Sequence, residues 1–150
     1  MTQKGRSTGR SDSTVKELLE NVREGHLECV ALCERAQRYR ELATQCTQAL
    51  SGMPGTHDNV GPQERYIIPL MDAHRELQCR IDALLKDTKE AEKWISKLTD
   101  VKHRVVMQLY YLCGKSMGEL AREIAYDRTW CYRLREEALA QLEEKEKAGE

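Results

Sequence analysis

The chain has no phenylalanine, and two tryptophans with six tyrosines bring its aromatics to only 5%. Too few large side chains are present for a broad globular core. The three prolines leave room for long helices, and 33% charged residues suit helices with a narrow apolar seam. No run of about 18 apolar residues occurs, which excludes a membrane-spanning helix. The polar start MTQKGRSTGRSDS lacks a signal-peptide core, so a soluble cytoplasmic protein is expected. A net charge of -1 excludes a polycation, and any DNA binding must be local. The six cysteines form no CxxC pair, and four of them sit at apolar helix positions, where they are expected to act as small buried hydrophobes in a reducing compartment. Glycine-rich phosphate loops, nucleophile elbows and HExxH are all missing, so neither catalytic residues nor a cofactor are expected.

What the chain does have is helical periodicity. Residues 1–12 carry Lys4, Arg6 and Arg10 among Gly, Ser and Thr and predict a disordered basic tail. From Val15 a heptad pattern runs through Val15, Val22, Cys29, Ala36, Ala43 and Leu50 at a, and Leu18, Gly25, Leu32, Tyr39 and Cys46 at d. Residues 51–62 (SGMPGTHDNVGP) break the helix and predict a loop. A second seam follows through Ile67, Leu70, His74, Leu77, Ile81, Leu84, Thr88, Ala91, Ile95 and Leu98, with Pro69 expected in its first turn or two. The two seams predict an antiparallel helical hairpin over residues 13–99. Pairing counted outward from the loop sets Gly25 near Ala91 and Trp94. His74 and Thr88 are expected to set register as polar seam residues. His26, Cys29 and Cys33 lie on adjoining turns but lack a fourth ligand, so no metal site is expected there.

Residues 100–142 predict a three-helix domain. Asp100 caps a helix over residues 101–112 with Val101, Val105, Val106, Leu109 and Leu112 on one side, and Gly114 ends it. Ser116 and Glu119 form a capping box opening a helix whose buried stripe is Met117, Leu120, Ala121 and Ile124. The pattern breaks at Ala125 and Tyr126. Asp127 then caps a helix with Cys131, Leu134, Ala138 and Leu142 on its apolar face, leaving Arg128, Thr129, Trp130, Tyr132 and Arg133 outward. Such a helix pair suits major-groove insertion. The DNA-contacting candidates are these five residues and Ser116, with Arg133 expected at a base and Arg128 at a phosphate. Trp130 has two readings, packing within the protein or lying against the DNA backbone. Residues 143–150 are expected to fray as a charged tail.

Ser116, Glu119, Leu120, Ala121, Ile124, Asp127, Arg128, Cys131, Leu134, Ala138, Leu139 and Leu142 resemble the last helix pair of bacterial sigma factors, their region 4. Over roughly residues 18–142 the chain is similar to phage-encoded transcriptional regulators of the ArpU and RinA type. The MPG loop, the Tyr110-Tyr111-Leu112 run and the RTWCYRL stretch carry that likeness. Many sigma-like turns hold Gly where this chain has Ala125, and Ala in a left-handed conformation costs about 1 kcal/mol.

The resemblance implies an all-α transcriptional regulator in the cytoplasm of a bacterial host, binding promoter DNA through the last helix. The hairpin would serve protein interaction or dimerisation. Residues 100–142 hold seven Lys and Arg against six acids. So small an excess implies weak binding alone, and the resemblance then implies help from host RNA polymerase or from a homodimer. Two other classes stay open: a phage packaging protein of the small-terminase kind, and a coiled-coil adaptor that binds only protein. Small terminases commonly place their DNA-binding part first, whereas here it comes last.

Overall fold

A computed structural model describes residues 14–50 and 62–149. The expected tail at 1–12, and the expected loop except for Pro62, lie outside these residues. Among them are five α-helices and no strand: α1 (Val15–Leu50), α2 (Pro62–Ser96), α3 (Val101–Met107), α4 (Met117–Ile124) and α5 (Arg128–Lys147), with a π-helical turn (Gln108–Leu112) continuing α3. No helix among the described residues is long and apolar enough to cross a membrane. The chain is thus all-helical, with two long helices packed together. It divides into two compact units at positions inside α1 and α2. A terminal unit gathers Met1–Arg23 and Asp87–Glu150, and a middle unit comprises Glu24–Lys86. The sequence had suggested a boundary near residue 100; the first turns of α1 and the last turns of α2 instead belong with α3, α4 and α5.

Helix α1 opens on a second capping box: the Glu17 N–H donates to the Thr14 hydroxyl and the Thr14 N–H to the Glu17 carboxylate, both at 3.3 Å. In its seam Val15, Leu18, Val22, Cys29, Leu32 and Ala36 are buried, while Gly25, Tyr39, Ala43 and Cys46 are half-buried. Helix α2 begins at Pro62, a first position that needs no N–H donor. That start puts Pro69 in the third turn rather than the first or second, where its ring deprives an interior carbonyl of a partner.

The register within the middle unit also differs from expectation. A Cβ built on Gly25 would lie 3.1 Å from Leu84 Cδ1, so Gly25 makes room for Leu84 and not for Trp94. Leu84 is seven residues before Ala91, one heptad. A slip of one heptad keeps every a and d residue on the same face, so periodicity alone does not choose between the two registers. Glu28 pairs with Arg80 at 3.2 Å and Arg35 with Glu76 in this register. His74 is exposed, its Nε2 3.4 Å from Arg40 Nη2, and Thr88 is half-buried. Of the cysteines, Cys29 and Cys131 are buried, Cys46 is half-buried, and Cys33, Cys79 and Cys113 are exposed, so fewer are buried than the four expected at apolar positions. Burial pushes the Cys29 and Cys131 thiols above their ordinary pKa and keeps them protonated.

In the terminal unit Asp100 caps α3, its carboxylate accepting from the Lys102 N–H at 2.9 Å. The buried side of α3 and the π-turn is His103, Val106, Met107 and Tyr111, the i, i+3, i+4 and i+8 positions of one helical face. Val101 is 61% exposed and Val105, Leu109 and Leu112 are half-buried, so the expected stripe is rotated. Helix α4 buries Met117, Leu120 and Ala121, and α5 buries Cys131, Leu134, Ala138, Leu139 and Leu142. One cluster joins Val106, Met117, Leu120, Ala121, Cys131 and Leu134, with Leu109, Tyr110 and Ile124 against it. Helix α5 continues through Lys147, and the Glu146 carboxylate accepts from the Val15 N–H at 3.1 Å. Most of the stretch expected to fray is therefore helical, held by that contact.

Candidate nucleic-acid interface

The turn between α4 and α5 fixes how α5 is displayed. Both halves of the capping box are formed, with Glu119 N–H donating to the Ser116 hydroxyl at 3.2 Å and Ser116 N–H to the Glu119 carboxylate at 3.1 Å. At the other end Ala125 adopts φ 58°, ψ 37°, and its N–H donates to the Ala121 carbonyl. Among the described residues it alone, apart from glycines, has positive φ. The backbone therefore makes the left-handed turn that glycine ordinarily makes, at a cost of about 1 kcal/mol. Asp127 follows in an extended conformation at the N-cap of α5, but its side chain makes no capping hydrogen bond. Asp127 thus occupies the expected cap position without capping.

Of the six expected contact residues, Ser116, Arg128, Thr129, Trp130, Tyr132 and Arg133 are all exposed. Trp130, 39% exposed, carries the Arg133 guanidinium 5.6 Å from its ring centroid. That cation–π contact is worth about 0.5–1 kcal/mol at an exposed site and limits the rotamers of Arg133. Tyr132 is engaged differently. Arg135 lies 5.4 Å from the Tyr132 ring and 5.0 Å from the Tyr110 ring, and Arg23 stacks on Tyr110 at 4.0 Å. The Ser116 hydroxyl accepts the cap hydrogen bond from the Glu119 N–H.

The Arg23–Tyr110–Arg135–Tyr132 stack was absent from the sequence reading, as was the π-turn beneath it. Arg23 donates to the Tyr110 carbonyl at 2.5 Å and to the Lys115 carbonyl at 2.9 Å, holding the end of that turn. Gly114, at φ 69°, closes it, as its position after the helix predicted. Tyr111 is buried edge-on to Tyr110, with centroids 4.8 Å apart, and burial raises its hydroxyl pKa to about 12. His103, also missed, is buried with Nε2 3.2 Å from Glu137 Oε2, while its Nδ1 has no partner among the described residues. The one local cue was the i, i+3 spacing of Tyr132 and Arg135. Apart from the adjacent Tyr110 and Tyr111, the other contacts join residues more than 20 positions apart.

Pairing redistributes charge around α5. Glu123 binds Lys115, whose pKa it raises through the hydrogen bond; Glu136 binds Arg135 at 2.9 Å and Glu137 binds His103. Asp100 and Glu119 serve as caps. Lys102, Arg122, Arg128 and Arg133 have no carboxylate within ion-pair distance among the described residues. Two of the six acids in residues 100–142 are thereby paired with a cation and Asp100 and Glu119 keep their charge at helix N-termini, while these four cations have no ion-pair partner among the described residues. No group of three or more His, Cys, Asp or Glu among the described residues is placed to hold a metal. Compared with protein-family models, with curated proteins and with solved structures, the chain matches none.

Proposed function

We propose that the protein is a sequence-specific DNA-binding transcriptional regulator, phage- or prophage-encoded and sigma region 4-like, with no catalytic role. It contacts promoter DNA through α5. The observation that carries this reading is the capped helix, left-handed turn and second helix with Arg128, Thr129 and Arg133 exposed and free of acidic partners. A helix so displayed suits the major groove, with its N-terminal residues at base edges and phosphates. Arg133, steadied by Trp130, contacts a base; Arg128, beside the cap, contacts a phosphate. Tyr132 acts through Arg135 and not by reading bases. The modest number of open cations supports cooperation with host RNA polymerase or a homodimer to reach useful affinity.

The test is binding of Arg133→Ala and Arg128→Ala to promoter and scrambled DNA across a salt series, with and without RNA polymerase. Arg133→Ala is expected to lose about 1–3 kcal/mol of sequence discrimination. Arg128→Ala is expected to weaken both DNAs alike and lower the salt slope by about one. Equal and negligible effects of both changes in every condition would remove the recognition helix and leave a protein-binding adaptor.

A further inference from the structure

The two long sides of the middle unit differ in chemistry. In an antiparallel helix pair, the g positions of both helices flank the seam on one side and the e positions on the other. On the g side, with its neighbouring c positions, Glu28 pairs with Arg80 and Arg35 with Glu76. These ion pairs stitch α1 to α2. The e side and its neighbouring b positions carry no carboxylate–cation pair between the helices among the described residues. There Val30 of α1 faces outward with Ile68, Met71 and Leu85 of α2, joined at its edge by Leu27. Ile68 is 64% and Met71 50% exposed, large values for apolar side chains on helices that already have a seam partner.

We propose that this side of the middle unit is a homodimer interface, covered by the same side of a second copy. This deepens the dimer reading proposed above by naming the face, and it holds whether or not α5 reads DNA. Three features select a second copy as the occupant. First, the face bears both signs of charge, Arg40 and Arg75 against Asp82, none with an ionic partner among the described residues, as self-complementary pairing requires. Second, its size suffices. Seventeen residues at 1.5 Å rise and two helix diameters of about 10 Å give about 500 Å² of projected face, so two copies cover about 1,000 Å², the threshold of a specific interface. Third, Met71 and Leu85 at e, added to a and d, widen the α2 stripe toward that of a four-helix bundle. A two-fold axis across the helices sets each helix antiparallel to its own copy, bringing Val30 against the partner's Val30, Met71 toward the partner's Leu85 and Arg75 toward the partner's Asp82.

The experiment is the mass of the full chain by sedimentation equilibrium over a wide concentration range. A concentration-dependent dimer is expected. Val30→Glu with Met71→Glu should weaken it about 100-fold or more by burying charges without partners, with helix content retained by circular dichroism. Ala83→Glu, exposed on the opposite side, should leave it intact. Thiol labelling of the unaltered protein gives an independent readout. Cys33, an exposed e residue, should label more slowly as concentration rises, while Cys79, exposed on the outer edge, should label at a constant rate. A monomer at every concentration overturns the proposal. So does a dimer that survives the double change, one that Ala83→Glu breaks equally, or Cys33 labelling that ignores concentration.

Discussion

The same heptad alternation runs through both compact units, and its outcome differs between them. The largest fully buried side chains among the described residues, Leu19, Val22, Ile95, Leu98, Val106, Met107, Leu120, Cys131 and Leu142, all lie in the terminal unit. In the middle unit Leu77, Ile81 and Leu84 are only half-buried although they occupy a and d. Two helices alone cover one narrow stripe of each other, whereas α3, α4 and α5 supply further apolar faces to the terminal unit. Polar groups follow the same division. Buried or stacked polar side chains such as His103, Arg135 and Tyr111 lie in the terminal unit, and the cross-helix ion pairs of the middle unit are solvent-exposed, where each contributes about 0–1 kcal/mol.

The largest effect expected from this contrast is in the core substitutions. Leu120→Ala should destabilise the terminal unit by about 2–5 kcal/mol, the range for truncating a fully buried leucine. Leu77→Asp, at a half-buried seam position, should cost about 1–2 kcal/mol. Trp94 and Trp130 both belong to the terminal unit, so tryptophan fluorescence reports that unit while circular dichroism reports both. In a denaturant titration Leu77→Asp should shift the dichroism transition and leave the fluorescence transition in place, and Leu120→Ala should shift fluorescence most. Coincident shifts in both variants would show that the units unfold together.

Next in size is an alkaline effect confined to the terminal unit. Tyr111 has an ordinary pKa near 10 when unfolded and about 12 in the fold, raised chiefly by burial and opposed by Arg135. Its contribution to stability is complete below pH 10 and is lost as pH rises toward 12, because the unfolded chain ionises first. The rise corresponds to roughly 2–3 kcal/mol. Fluorescence-monitored stability should therefore fall over that interval in the unaltered protein, and Tyr111→Phe should flatten the fall. An unchanged slope in the variant would assign the loss to other groups.

How much of this could be seen in the residues depended on whether the determinant was local. Ser116 and Glu119 are three apart, and their capping box formed as expected. The stripes of α4 and α5 formed likewise, because a 3.6-residue period is written within one helix. The exposure of Arg128, Thr129 and Arg133 follows from the same stripes. Register did not follow, since Gly25 can face Ala91 or Leu84 with identical heptad letters. The π-turn was equally hidden: its end is held by Arg23, almost 90 positions away, and no local pattern at Gln108–Leu112 announces it. Helical periodicity also assigned Tyr132 to the outward face without showing that Arg135 would occupy it.

The smallest expected effect tests the one strained residue of the turn. Ala125 sits at φ 58°, where its Cβ crowds the backbone, and Ala125→Gly removes that crowding. Against this stands the greater freedom that glycine gives the unfolded chain, which offsets part of the gain. Ala125 is exposed, so its methyl group contributes no buried packing that the change would forfeit. The balance favours the variant by up to about 1 kcal/mol, read as a small upward shift of the fluorescence midpoint. The middle unit's dichroism signal should not respond, because the residue belongs to the terminal unit. A destabilised variant would mean that Ala125 holds an ordinary helical angle in solution, and α5 would then leave α4 at a different angle, carrying Arg128 and Arg133 away from a shared groove.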